Sequence, residues 1–330
     1  MKPLYRNLFL LFGLVAIIVM LFTFDVNFED LERNLARAGL YLPAVIGVWI
    51  FVYALNAGAF QVIVNSGTHD KHLSYLHAYK LTVSGFAFSY TTPFGFGGGP
   101  YRVMELSAYI GTNRAMSSVV LYSMMHIFSH ICLWASAVIL FICLYEVEPF
   151  LWVLFAVFAV VCAVLVYFFY YGYKNGMIVR LFSILLRIPY VKRYAAKFYE
   201  KNAENMAQID RQIAYLHEQW RAFYAALFME YAARVVNSLE YFFILRSLSF
   251  NISFWDAVLI LAFSSLFSNL LFFLPMQLGA REGGLAIIIR RLGIDPAFGI
   301  FTSFYTRIRE LVWIVIGVAL VKVGNKRIMK

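Results

Sequence analysis

The sequence predicts an all-α integral membrane protein, a single polytopic domain over residues 1–330 with about six full spans and two glycine/proline-broken helical hairpins. Three observations carry this. Of the residues, 62% are hydrophobic and only 14% are charged, where soluble domains are about a quarter charged. Several apolar runs reach the roughly 20 residues that cross a bilayer as helix, and the ten-residue alternating segments of a β-barrel are absent from the sequence. Finally, two broken apolar segments, TTPFGFGGGPYRVMEL at 91–106 and FFLPMQLGAREGGLAI at 272–287, share one layout.

The elements follow in order. Lys2 and Arg6 precede LFLLFGLVAIIVMLFTF. That run is too long for a signal peptide and lacks a small-x-small cleavage site, so an uncleaved first span is expected at 7–24. Further spans are expected at 40–64, 115–145, 150–173, 222–248 and 297–322. The segments 75–112 and 255–293 are interrupted by glycine and proline. Open backbone at membrane depth is tolerated only where protein or a water-filled cavity surrounds it. Each is therefore expected to be a re-entrant hairpin or a broken pair of helices, and either form returns the chain to the side it came from.

Loop charges orient the chain. Asp25, Glu29, Asp30 and Glu32 outweigh Arg33 and Arg37 in the first loop, and Glu146 and Glu148 mark a second acidic turn; both read as outside. Segment 172–221 is rich in bases, and Lys322, Lys326, Arg327 and Lys330 close the chain. By the positive-inside rule both termini and the long segment are cytoplasmic, in a cell (inner) membrane. Within that segment Met206, Ile209, Ile213, Leu216 and Trp220 recur at helical spacing, which predicts a helix on the cytoplasmic face. The net charge of +10 is thus accounted for by loop topology and anionic headgroups rather than nucleic acid.

The two breaks form a repeat. Pro93 and Pro275, Gly97 and Gly279, Gly111 and Gly293, and Ala115 and Ala297 share one offset of 182 residues. Three crossings separate equivalent points, so copy one (about 70–145) starts inside and copy two (about 252–322) starts outside. Gly/Pro-interrupted segments at matching positions of an inverted repeat point to a transporter's central site.

The chemistry is expected at those breaks. Pro100 suits a helix start, and the free N–H groups of that helix favour an anion. Arg102 adds a bidentate cation, and Arg281 and Glu282 hold the corresponding place in copy two. The candidate substrate-binding residues are Gly97, Gly98, Gly99, Arg102, Gly279, Arg281 and Glu282, with Arg307 and Arg309 of the last span facing the same cavity. Glu230 and Arg234 stand four apart, as an intrahelical ion pair does, and Glu240 follows. His126 and His130 share a helix face, but no HExxH or third ligand accompanies them, so polar packing is expected and no metal. Cys132, Cys143 and Cys162 make no CxxC pair and read as packing residues. The sequence offers no catalytic constellation and no motif for a nucleotide or other cofactor.

At the breaks the chain resembles a known family. FGGGPYRVMEL resembles that family's first glycine motif, and LGAREGGLAIIIRRLGIDPAFGIFTSFYTRIREL its second, Ala280 standing where a glycine is common. The family is the flippase-like membrane domain of lysylphosphatidylglycerol synthases, with its stand-alone relatives. The resemblance covers about residues 5 to 325 and implies a multi-span inner-membrane protein with two re-entrant hairpins. It implies movement between leaflets of a lipid with an anionic or amine-modified headgroup, phospholipid or lipid-linked. The aminoacyl-transferase domain of full synthases has no room in this chain, so lipid aminoacylation is not carried over. Two other readings stay open: a secondary transporter of a small solute, and a membrane enzyme acting on a lipid-linked substrate.

Overall fold

Helices make up nearly all of the part of the chain that the structure, a computed structural model, describes: residues 39–66, 72–92, 97–176, 219–248, 250–270 and 297–322, with scattered positions in 179–214 and 285–294. Among the described residues the eight long helices are α1 (Tyr41–Ser66), α2 (Tyr75–Thr91), α3 (Gly98–Ile110), α4 (Thr112–Leu144), α5 (Pro149–Asn175), α6 (Trp220–Ser247), α7 (Phe254–Leu270) and α8 (Ala297–Lys322). The expected spans from 40 to 322 fall on α1, α4, α5, α6 and α8. The expected first span, most of the cytoplasmic helix and the second break lie outside the described residues.

Local chemistry sets the ends. α2 ends at Thr91 and α3 starts at Gly98, so Pro100 stands in the first turn of α3, where a missing N–H costs no helical bond. Gly111 at φ +80° separates α3 from α4, and its N–H reaches the Ser107 carbonyl at 3.1 Å. Gly293 also has positive φ, +75°. Such backbone is open to glycine at little cost. Pro149 opens α5. Before α7, the Ser253 N–H donates to Asp256 Oδ2 at 2.8 Å and the Asp256 N–H to Ser253 Oγ at 3.2 Å, a reciprocal cap. Tyr145 at the end of α4 donates to the other Asp256 oxygen at 2.5 Å, tying the two helix ends together.

Three helical stretches, Tyr41–Ser66, Thr112–Leu144 and Pro149–Tyr167, are long and apolar enough to cross a membrane; α7 is a shorter apolar helix. The α5 stretch is only 11% buried, against 44% for α1, so α5 stands at the edge with valines and aromatics facing outward. A helix apolar all round and unburied suits lipid as its surroundings. The middle of the molecule is α6, which packs on α1, α4, α7 and α8.

α2 packs on α8, and α7 packs on α4. At the first contact, Ser84 Oγ donates to the Gly317 carbonyl at 2.8 Å. A Cβ on Gly317 would come within 2.6 Å of Ala87 Cβ, so the glycine lets the two backbones close. Small residues serve that purpose in membrane helix pairs.

Candidate functional site

Five central helices each turn one polar stripe inward. These are Trp49 and Asn56 on α1; His126 and His130 on α4; Arg234, Asn237 and Tyr241 on α6; Ser264, Ser265 and Ser268 on α7; and Arg307 and Glu310 on α8. With Glu240 and Arg309 they line one cavity of about 400 Å³. That falls in the range of small-molecule sites.

A charged knot forms one wall. Arg309 donates from Nε to Glu240 Oε1 at 2.9 Å and from Nη2 to Oε2 at 3.2 Å. Trp49 Nε1 donates to Glu240 Oε2 at 2.8 Å, and the Arg309 guanidinium carbon sits 3.9 Å from the Trp49 ring centre. Glu310 bridges Arg309 at 3.7 Å and Arg307 at 3.6 Å. The Arg309 and Glu240 side chains are 4% and 2% exposed. Buried charges persist only when paired and hydrogen-bonded, and this knot links α1, α6 and α8.

A second ionic group stands at the same cavity. His126 Nδ1 lies 2.7 Å from Glu230 Oε2. Arg234 donates to Ser129 Oγ at 2.7 Å and to the His126 carbonyl at 2.8 Å. The expected Glu230–Arg234 pair within α6 is therefore replaced by bonds across to α4, because both side chains find shorter partners there. His126 and His130 stand edge to face, ring centres 5.6 Å apart. Among the described residues, no three His, Cys, Asp or Glu side chains group as a metal site.

Several polar atoms at the cavity have no hydrogen-bond partner among the described residues: Asn56 Oδ1, Asn237 Oδ1, His130 Nδ1, Ser268 Oγ and Arg309 Nη1. Buried polar groups are almost always satisfied. Five converging on one space mark it as a place for a polar guest, water or ligand.

The expected site residues divide. Arg307 and Arg309 line the cavity. Gly279, Arg281 and Glu282 lie outside the described residues. Gly97, Gly98, Gly99 and Arg102 lie outside the lining. A Cβ on Gly98 would collide with Ser89 Oγ and the Gly85 carbonyl, and one on Gly97 would come within 2.6 Å of Thr92 Cγ2. These two glycines let α3 fold back onto α2. Gly97 also turns its N–H to Thr92 Oγ1 at 2.7 Å, so that N–H is taken within the protein. Arg102 points away behind Phe86. Its Nε and Nη2 lie 3.4 Å from the Leu81 and Thr82 carbonyls, and the Phe86 and Tyr122 rings cover it at 5.5 and 5.0 Å. Gly85 makes room for it, since a Cβ there would collide with the guanidinium.

Glu240, Glu310, Trp49 and the α7 serines were not among the expected site residues. The signal for the serines was present: Ser264, Ser265, Ser268 and Asn269 fall on one face of an otherwise apolar helix.

Inward-facing charge on a helix bundle with an apolar exterior defines an integral membrane protein built around a polar interior site. The chain belongs to the lysylphosphatidylglycerol synthase TM region family, whose model matches residues 10–318. No curated protein and no solved structure matches it.

Proposed function

We propose that the chain moves a lipid between leaflets, holding the polar headgroup in the central cavity while the acyl tails stay in the bilayer. One observation carries the reading. A cavity with three arginines on its walls and unsatisfied polar atoms opens inside a bundle whose outer helix faces are apolar. Polar and ionic groups at membrane depth mark substrate paths. Membership of the family supports a role in lipid modification or transport.

In this reading α6 and α8 also cross the bilayer, both termini are cytoplasmic, and the two broken segments are inverted copies. The reciprocal packing of α2 on α8 and α7 on α4 supports a pseudo-twofold axis near α6. The guest is an anionic or amine-modified phospholipid or lipid-linked headgroup. Arg234, Arg307 and Arg309 meet its phosphate, and Asn56, Asn237 and Ser268 its remaining polar atoms. Arg281 and Glu282 enter from the second break. Repacking of the two broken segments alternates access.

The test is reconstitution into phosphatidylcholine vesicles carrying a trace of headgroup-labelled phosphatidylglycerol, with a membrane-impermeant quencher outside. Movement shows as loss of the protected half of the signal, and it should slow at least tenfold when Asn237→Leu and Ser268→Leu fill the cavity. Wild-type protein that leaves the protected half intact, for anionic and amine-bearing labels alike, refutes the proposal.

A further inference from the structure

The ionic groups at the cavity fall into two sets. In the first, Arg307 and Arg309 meet Glu240 and Glu310, two of each sign, in the knot. In the second, Glu230 has Arg102 and Arg234 as its cationic neighbours. Glu230 and Arg102 lie behind the lining, and Arg234 is part of it. Among the described residues these groups are four arginines against three glutamates, one positive charge in excess with the histidines neutral. Arg281 and Glu282 of the second break carry one charge of each sign and leave that sum unchanged.

The excess reaches the cavity through Arg234. Arg102 is shut off from it by the Phe86 and Tyr122 rings. Arg307 and Arg309 are each bound to a carboxylate. Arg234 instead donates to two neutral groups, Ser129 Oγ and the His126 carbonyl, and no carboxylate of the described residues lies within ion-pair distance of it. A guanidinium of that kind is suited to a phosphate. A cationic guest finds the reverse. Glu240 and Glu310 are both engaged by arginines, so an ammonium would stand beside excess positive charge with no free carboxylate, and like charges set together exclude a partner. What the rest of the lining offers is neutral hydrogen bonding. Asn56 Oδ1 and Asn237 Oδ1 accept, Arg309 Nη1 donates and Ser268 Oγ does either, all four without a partner among the described residues. A hydroxyl donates and accepts without bringing charge, so it suits every one of them.

We infer that the cavity takes a phosphodiester headgroup that carries hydroxyls and no amine, a polyol or sugar phosphate on a lipid, and that Arg234 sets its preference for net negative charge. The phosphate meets Arg234, and the hydroxyls meet Asn56, Asn237 and Ser268. The inference rests on the lipid-moving reading and narrows its guest, since amine-modified headgroups drop out.

The test is calorimetric titration of the purified full chain in detergent with dihexanoyl forms of phosphatidylglycerol, phosphatidylmethanol and phosphatidylethanolamine. The second keeps the charge and lacks the hydroxyls; the third carries an amine. Phosphatidylglycerol should bind tighter than the amine lipid by about tenfold or more, with phosphatidylmethanol between them. Arg234→Gln should bring phosphatidylglycerol and the amine lipid to within about threefold of each other. Asn237→Asp, which sets a carboxylate one turn from Arg234 with little change of shape, should do the same and serves where Arg234→Gln fails to fold. An amine lipid that binds wild type as tightly as phosphatidylglycerol overturns the headgroup class and leaves the lipid reading intact. Phosphatidylmethanol that matches phosphatidylglycerol overturns the part given to the hydroxyls. A preference that survives both variants overturns the role of Arg234. If none of the lipids binds, the lipid reading falls, and this inference falls with it.

Discussion

Replacing Glu240 by alanine should be among the most damaging single changes in the protein. The carboxylate accepts two hydrogen bonds from Arg309 and one from Trp49, all between 2.8 and 3.2 Å. Its loss leaves a guanidinium of 4% exposure facing only Glu310, which stands at 3.7 Å and is already shared with Arg307. Breaking a buried pair from one side costs about 3–5 kcal/mol, because the remaining charge keeps its desolvation penalty. Partial relief from Glu310 places the value near the lower end. Removing both partners is a different perturbation. Glu240→Leu with Arg309→Met takes both charges out together and fills the volume with apolar atoms, which is often close to neutral.

The measurement is equilibrium unfolding in mixed micelles, by titration with a denaturing detergent, of wild type, Glu240→Leu, Arg309→Met and the double, with Glu240→Ala alongside. The cycle should return a coupling of about 2 kcal/mol or more, with the double variant more stable than Glu240→Ala. If Glu240→Ala costs less than about 1 kcal/mol, or if the double variant loses the sum of the singles, the two residues do not act as one buried ionic unit. The claim that the knot holds α1, α6 and α8 together would then fail.

Three further outcomes follow from the same geometry. Gly98→Ala should cost about 1–3 kcal/mol, since its Cβ meets the Gly85 carbonyl, whereas Gly99→Ala, with only Val119 Cγ1 at 3.9 Å, should fall within about 0.5 kcal/mol of wild type; unchanged stability with lost lipid binding in Gly98→Ala would return the glycines to a binding role. Arg102→Ala should lower stability yet leave headgroup retention in native mass spectrometry unaltered, and selective loss of a co-purifying lipid would refute its placement behind Phe86. Gly111→Ala and Gly293→Ala should each cost about 1–2 kcal/mol for a left-handed backbone alone, because nothing lies within 4 Å of either added Cβ; two silent substitutions in the unfolding titration would contradict the positive φ angles.

The sequence carried the helices well and the site only in part, for physical reasons. Long apolar runs and Gly/Pro breaks act locally, so α1, α4, α5, α6 and α8 were legible from residues near one another in the chain. Side-chain direction was not. GFGGGPYR reads as an anion-binding helix start, but its outcome depends on Gly85, which lies in the preceding helix and gives α3 a surface to close onto. The four-residue spacing of Glu230 and Arg234 is equally compatible with an intrahelical pair and with two bonds to the next helix. His126 and Ser129 on α4 decide the matter, and nothing in α6 announces them. Glu240 needed Arg309 and Trp49, which are 69 and 191 residues away in sequence.

The charges that were hardest to place also explain why, among the described residues, only three helices are long and apolar enough to cross a membrane. α6 and α8 are 28 and 26 residues long, as long as α1 at 26. What sets them apart is Glu230, Arg234 and Glu240 on one, and Arg307, Arg309 and Glu310 on the other. Five of these six are buried, and Arg234 is half-buried with its donors satisfied. None of the six is spent on a lipid-facing surface. A helix that fails a hydropathy test through inward charges presents the same face to lipid as one that passes, since the bilayer meets only the outer side. The shortfall in apolarity is therefore a measure of the cavity rather than an argument against crossing. The same reasoning predicts where function is sensitive: in α5, where almost every apolar residue faces outward, exchanges among valine, leucine and phenylalanine should be tolerated, while single charge-neutral exchanges at the inward positions of α6 and α8 should not.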